Sequence, residues 1–190
     1  MTTLKKSILA SILIGFGVAI LLSVGNPVGP FLFAFGLLSV CYLKANLFTG
    51  KAGYYWKDKN VELFKILLIN LISGYIFGFL LSYSSPQLIP VALEKVTSWE
   101  FSIVFFIKAI FCGMIMYICV ELYNKYGNFF GIFFGVPLFI YCGFQHSIAN
   151  IIILGVARTW SWTIILAIMG NYIGSMIINV LAKGGMTYDT

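Results

Sequence analysis

Long apolar runs separated by short polar connectors set the rhythm of this chain. They fall at about residues 7–24, 30–45, 63–83, 102–122, 129–155 and 160–182. A bilayer core takes roughly 20 helical residues to cross, so the runs predict six transmembrane helices. None alternates apolar and polar positions as a membrane barrel strand does, and an all-α membrane protein is expected. Two runs are interrupted. The second leads into residues 44–56, where Asn46, Thr49 and Gly50 form a polar island before the helix has crossed. The fifth is too long for one ordinary span and is broken by Gly143-Phe144-Gln145-His146-Ser147-Ile148-Ala149-Asn150.

Each interruption lies in the middle helix of a triplet, so a single transmembrane domain over residues 1–190 divides into halves of about 1–85 and 86–190. Two odd-numbered triplets have opposite topologies in the membrane. The pattern therefore predicts an inverted 3+3 repeat with broken second and fifth helices, whose freed backbone groups meet near the midplane and make a polar site. The simpler alternative is a pair of kinks in an ordinary bundle.

Composition narrows the class. With 61% hydrophobic residues, 9% charged residues and a mean hydropathy of +0.98, the chain cannot maintain a soluble surface, and lipid is its solvent. The net charge of +6 would suggest nucleic acid in a soluble protein. Here Lys5, Lys6, Lys51, Lys57, Lys59, Lys65, Lys125 and Lys183 sit at the N-terminus, two connectors and the C-terminus, whereas Lys95 and Arg158 lie on the other side. The positive-inside bias then places both termini in the cytoplasm, in a plasma membrane of bacterial type, with no role for nucleic acid. Lys5-Lys6 and the following apolar run also fit a cleaved leader by charge and length, but no small-residue cleavage site follows and a retained first helix is preferred.

Cys41, Cys112, Cys119 and Cys142 all fall in apolar segments without a C-x-x-C pair or neighbours at metal-ligand spacing. They are read as buried free thiols, and neither a metal nor another cofactor is expected. Gly15 and Gly17, Gly74 and Gly78, and Gly170 and Gly174 are read as surfaces for close helix packing.

The one histidine, His146, falls near mid-depth of a span. An ionisable group there faces a bundle interior or a watery path, which makes it a functional candidate by default. The alternative is a core histidine satisfied by a backbone carbonyl. Asn150, one turn further on, reads equally as a helix-end cap, and Thr49 as a capping hydroxyl of the short half-helix. Lys108 is expected to snorkel or pair in an oligomer, and Glu121 to be a solvated helix terminus.

Taken together, Asn46-Leu47-Phe48-Thr49-Gly50, the Gly143 to Asn150 break and Gly170-Asn171-Tyr172-Ile173-Gly174 resemble, in order and spacing, three motifs of the formate/nitrite transporter family. These are its L-F-T-G loop, its G-F-E-H-S-x-A-N break and its G-N-x-x-G helix. The resemblance covers nearly the whole chain. It implies a homopentamer of six-helix, aquaporin-like protomers, each enclosing a pore for small monovalent anions such as formate, nitrite, hydrosulfide or short carboxylates. It carries Thr49 onto the loop threonine, His146 onto the central histidine and Asn171 onto the asparagine of the sixth helix, with Asn150 beside them in the pore. By the same alignment Phe33, Leu37, Leu47, Phe48 and Phe139 narrow the passage, Gly36 falls on a family glycine, and Lys95 falls near an outer-vestibule lysine. The chain departs from the family in its shorter termini and shorter connector near Lys125. It also has Gln145 in place of the usual Glu, and Gly113 where an Asn usually follows Cys112.

Removing an anion from water costs several kcal/mol even after relaxation, so an apolar constriction should hold back a bare carboxylate more than its neutral acid. Charging His146 is opposed by its apolar surroundings and favoured by an arriving anion. The expectation is thus proton-coupled passage of a weak-acid anion, with lipid, anion and proton as the partners. Thr49 would bond His146 or the substrate, and Gly50 would let the loop move. Two other readings stand beside it: a non-conducting structural or regulatory subunit, and an intramembrane enzyme using His146 as base. The enzyme reading has no Ser/His/Asp set, H-E-x-x-H motif or paired intramembrane carboxylates to support it.

Overall fold

The computed structural model describes residues 2–54 and 62–185, the last three as backbone only. Lys57, Lys59 and the Lys183 side chain, part of the charge pattern above, lie outside what is described. The elements are α1 (Thr3–Val24), α2 (Val28–Tyr42), α3 (Phe48–Lys51) running into a 3-10 turn (Ala52–Tyr54), α4 (Leu63–Ser84), α5 (Leu88–Thr97), α6 (Ile103–Tyr126), α7 (Phe130–Tyr141), α8 (Ser147–Val156) and α9 (Thr163–Gly185). Of these, α1, α4, α6 and α9 are long and apolar enough to cross a bilayer. The second and fifth apolar runs are each split into two helices. Both halves therefore have the order long helix, interrupted pair, long helix, and both interruptions are real breaks rather than kinks. The backbone turns left-handed at Lys44 (φ 49) and at Gly143 (φ 66).

One helix escaped the hydropathy pattern. The ten-residue α5 mixes Glu94 and Lys95 with apolar residues and has Pro90 in its first turn, where no amide donor is needed. Leu88, Ala92 and Val96 recur every fourth residue and form its buried face.

All ten residues of α8 are buried, so the middle of the fold is built around it. It packs along α4 and touches α1, α5 and α9, while α1 packs on α2 and α4, and α2 on α7. The most extensive contact is between α6 and α9. There a Cβ at Gly113 would run into the Asn171 carbonyl, and one at Gly174 into the Ile110 carbonyl. This close approach explains why Gly113 follows Cys112 in this chain, because no larger residue fits. Outward-facing apolar side chains such as Phe64, Ile72 and Ile103 remain exposed, as expected where lipid is the solvent.

Two expectations from the sequence need correcting. Cys112 and Cys119 are buried free thiols, but Cys41 is only half-buried and Cys142 is exposed, because its turn carries it out of the packed helix face. Glu121 is not a merely solvated terminus. Its carboxylate accepts a hydrogen bond from the Tyr54 hydroxyl and pairs with Lys125 at 3.1 Å, which ties the 3-10 turn to α6.

Candidate functional site

The two breaks are built by the same set of bonds. In the first, the amides of Lys44 and Ala45 return to the carbonyls of Cys41 and Val40; in the second, Gly143 and Phe144 return to Ile140 and Phe139. The amide of Asn46 then bonds the Lys6 carbonyl, and that of Gln145 the Lys108 carbonyl. Each break is finally pinned by a buried asparagine. Asn70 on α4 accepts the Phe48 amide at 2.8 Å and donates to the carbonyls of Ser7 (2.8 Å) and Asn46 (3.1 Å). Asn171 on α9 accepts the Ser147 amide at 2.8 Å and donates to the carbonyls of Ala109 and Gln145, both at 2.8 Å. A polar side chain in an apolar interior is tolerated when its hydrogen-bonding groups are used, and each amide here uses both ends to hold a helix terminus open.

These pins bring Thr49 to His146. Thr49 Oγ1 lies 3.0 Å from His146 Nε2, and both residues are at most 2% exposed. His146 is also the N-cap of α8, its Nδ1 accepting the Ala149 amide at 3.0 Å. An acceptor nitrogen carries no proton, so the neutral ring is the Nε2–H tautomer and donates to Thr49. The Thr49 hydroxyl proton is left to point elsewhere. The capping role first considered for Thr49 is not the one it fills, because α3 has Leu47 at its N-cap without a side-chain cap and Thr49 lies inside the helix. Beside His146, Ser147 buries a hydroxyl that has no partner among the described residues.

Aromatic rings close one side of this pair. Phe139 stacks on the imidazole at 5.8 Å between centroids, and Phe33 meets Phe139 edge-on at 6.1 Å. Leu37 and Leu47, each 1% exposed, line a cavity of about 770 Å³ on the Lys6 side. Phe48 is buried and its amide is the one held by Asn70.

The remaining expected residues are placed differently. The Asn171 side chain anchors the backbone of the second break and makes no bond to the imidazole among those described. Asn150 donates to Gln145 Oε1 at 2.9 Å, and Gln145 Nε2 donates to the Gly143 carbonyl at 2.9 Å, so the two amides brace the loop. Lys95 lines a separate cavity of about 340 Å³ with Glu94 and Ile140.

The sequence reading passed over three residues. Asn70 was legible as a lone asparagine in an apolar helix, in the place that Asn171 holds in the other half. Lys6 and Lys108 were read only as topology or snorkelling charges. Their carbonyls receive the two breaks, and the Lys108 ammonium lies 3.9 Å from where a Cβ on Gly143 would sit.

The comparisons with known proteins bear on the fold and the family. The model for the formate/nitrite transporter family matches residues 1–184. The uncharacterized transporter YwcJ of Bacillus subtilis (strain 168) is 24% identical, over 96% of this chain and 86% of that protein. Among solved structures, the fold is similar to that of an FNT family ion channel, with a TM-score of 0.75, 20% identity and coverage of 95% of this chain and 86% of the other. It is also similar to a pentameric formate channel with formate bound, with a TM-score of 0.66, 15% identity and coverage of 96% and 93%. With its family model matched almost from end to end, this integral membrane protein belongs to the formate/nitrite transporter family, a family of transporters and channels rather than of enzymes.

Proposed function

We propose that this chain forms a transmembrane passage for small monovalent weak-acid anions, formate or nitrite among them, coupled to proton movement at His146. The observation that carries the reading is the 3.0 Å contact between Thr49 and His146, which joins the two breaks at a single polar point among apolar residues. In this reading the four long helices and two interrupted pairs make six crossings, as two inverted triplets arranged in the aquaporin manner. Both chain ends then lie on one face, and the lysine bias makes that face cytoplasmic. The matching bonds of Asn70 and Asn171 support the repeat. The likeness to a pentameric formate channel supports a homopentamer whose protomers each hold a passage.

The chemistry follows from the ring's two partners. While Nδ1 holds the Ala149 amide and Nε2–H donates to Thr49, the Thr49 hydroxyl proton is what the pair offers an anion. A proton supplied from the aqueous phase and taken up at Nδ1 displaces that amide and turns the ring into a cation beside the anion. The imidazolium can then pass its Nε2 proton to the carboxylate, leaving a neutral imidazole and a neutral acid. The acid crosses the Phe33 and Phe139 rings without the desolvation cost of the ion. Gln145 leaves this break without a carboxylate, so the ring is the proton-exchanging group there. Lys95 supplies a positive charge at the outer mouth.

Uptake of radiolabelled formate and nitrite into proteoliposomes tests the reading at acidic and neutral pH. The expected result is saturable, acid-stimulated uptake that His146→Phe removes. Unchanged pH-dependent uptake in that variant would rule out the role given to the ring. Absence of flux for both anions, and then for hydrosulfide and acetate, would leave a non-conducting subunit as the reading.

A further inference from the structure

The cavity on the Lys6 side carries more positive charge than passage of one monovalent anion calls for. Lys6 of α1, Lys44 of the first break and Lys51 of α3 line the same space of about 770 Å³. No carboxylate lines it among the described residues, and none there forms an ion pair with any of these three lysines. Glu121 on the adjacent turn of α6 accepts from Tyr54 and pairs with Lys125. Lys44 holds its position with a left-handed backbone, φ 49, where the matching turn of the other half has Gly143. An L side chain is disfavoured in that conformation, so a cation stands where glycine would fit with less strain.

Ammonium groups gathered around one cavity repel one another. The occupant that best relieves this carries several negative charges and presents oxygens in several directions, as phosphoryl groups do. The volume is in the range of metabolite-sized pockets and far exceeds a formate-sized anion. Leu37 and Leu47 form part of the same wall, so an occupant would sit directly on the apolar narrowing.

We propose that this cavity binds a multiply charged, phosphate-bearing anion, and that the bound anion closes the passage from the Lys6 side. The closing effect rests on the reading of the chain as an anion passage. The cost of taking an ion out of water rises steeply with its charge, so such a species is held at the narrowing and not carried through it. Amide groups of Asn46 and Asn124 and the Tyr123 ring, also in the lining, complete a mixed polar wall.

Soluble polyphosphates and lipid headgroups with more than one phosphate share this chemistry, and two arms separate them. Calorimetric titration of the purified protein with inorganic pyrophosphate, in a neutral detergent, reads binding without any need for flux. Saturable binding is expected, weakened about tenfold or more in the Lys44→Ala/Lys51→Ala double variant. Lys44→Gly removes one cation while easing the turn, so a lower affinity there cannot be laid to misfolding. In phosphatidylcholine vesicles, pyrophosphate on the Lys51 side should arrest formate flux, and pyrophosphate on the other side should not. If cardiolipin, with two phosphates in its headgroup, lowers flux by itself and abolishes pyrophosphate binding, the phosphate is that of a headgroup. No pyrophosphate binding by the unaltered protein, or equal affinity in the double variant, overturns the proposal. Absence of flux under every condition would refute the transport reading, while calorimetry would still decide the site.

Discussion

The breaks at residues 43–47 and 142–146 share their turns, their neighbouring carbonyls and their asparagine pins, yet they present different chemistry. Matching the two turns sets Leu47 opposite His146 and Thr49 opposite Ile148. Each half thus supplies one polar group where the other supplies an aliphatic one. The helices that follow differ as well: α8 is ten residues long and capped by the imidazole, whereas α3 has four residues and no side-chain cap at Leu47. The scaffold is duplicated and the site is not. A polar pair at the centre needs one donor side chain from each half, and a second pair would add buried polar groups without partners.

The largest expected effect tests the shared scaffold. Asn70→Leu and Asn171→Leu each remove three hydrogen bonds from buried or part-buried backbone groups and should cost about 3 kcal/mol or more of stability. Thermal unfolding in detergent would show similar losses for both. A well-folded Asn70→Leu beside a collapsed Asn171→Leu would break the equivalence of the two pins.

The next effect tests the difference between the halves. Thr49→Val leaves His146 Nε2–H without an acceptor while the Ala149 cap stays in place. Formate flux should fall about tenfold or more, with unfolding changed by about 1 kcal/mol. If flux is kept and its pH response is unaltered, the meeting of the two halves is only structural.

A smaller effect with opposite signs compares the turns themselves. Lys44→Gly should stabilise the protein by about 0.5 to 1 kcal/mol, and Gly143→Ala should destabilise it by a similar amount, since φ is positive at both. Tyr54→Phe should have the smallest effect, about 1 kcal/mol or less, by removing the hydroxyl that donates to Glu121. Stability changes of the same sign at Lys44 and Gly143 would mean that the two turns are not equivalent.

Much of the frame was legible from residues alone. Six apolar runs anticipated four long helices and two interrupted pairs because a bilayer imposes a length on every crossing and excludes unsatisfied backbone. His146 and Thr49 stood out as polar groups in apolar chain, and the motif resemblance singled out Asn171. The α5 helix was missed because ten residues with mixed polarity leave little periodic signal. Lys108 was left without a place because its carbonyl, and not its charge, makes the defining contact with the second break.

The sequence by itself determined the solvent, the number of long apolar segments and the positions of the two breaks, since each of these depends on which residues are neighbours along the chain. Only the tertiary structure decided that Asn70 and Asn171 perform one task twice and that the imidazole proton faces Thr49. It also decided that Gly113 must be glycine and that Lys6, Lys44 and Lys51 share one cavity. These depend on distances between residues far apart in the chain, which become defined only when packed helices fix which backbone groups are left open and which side chains can reach them.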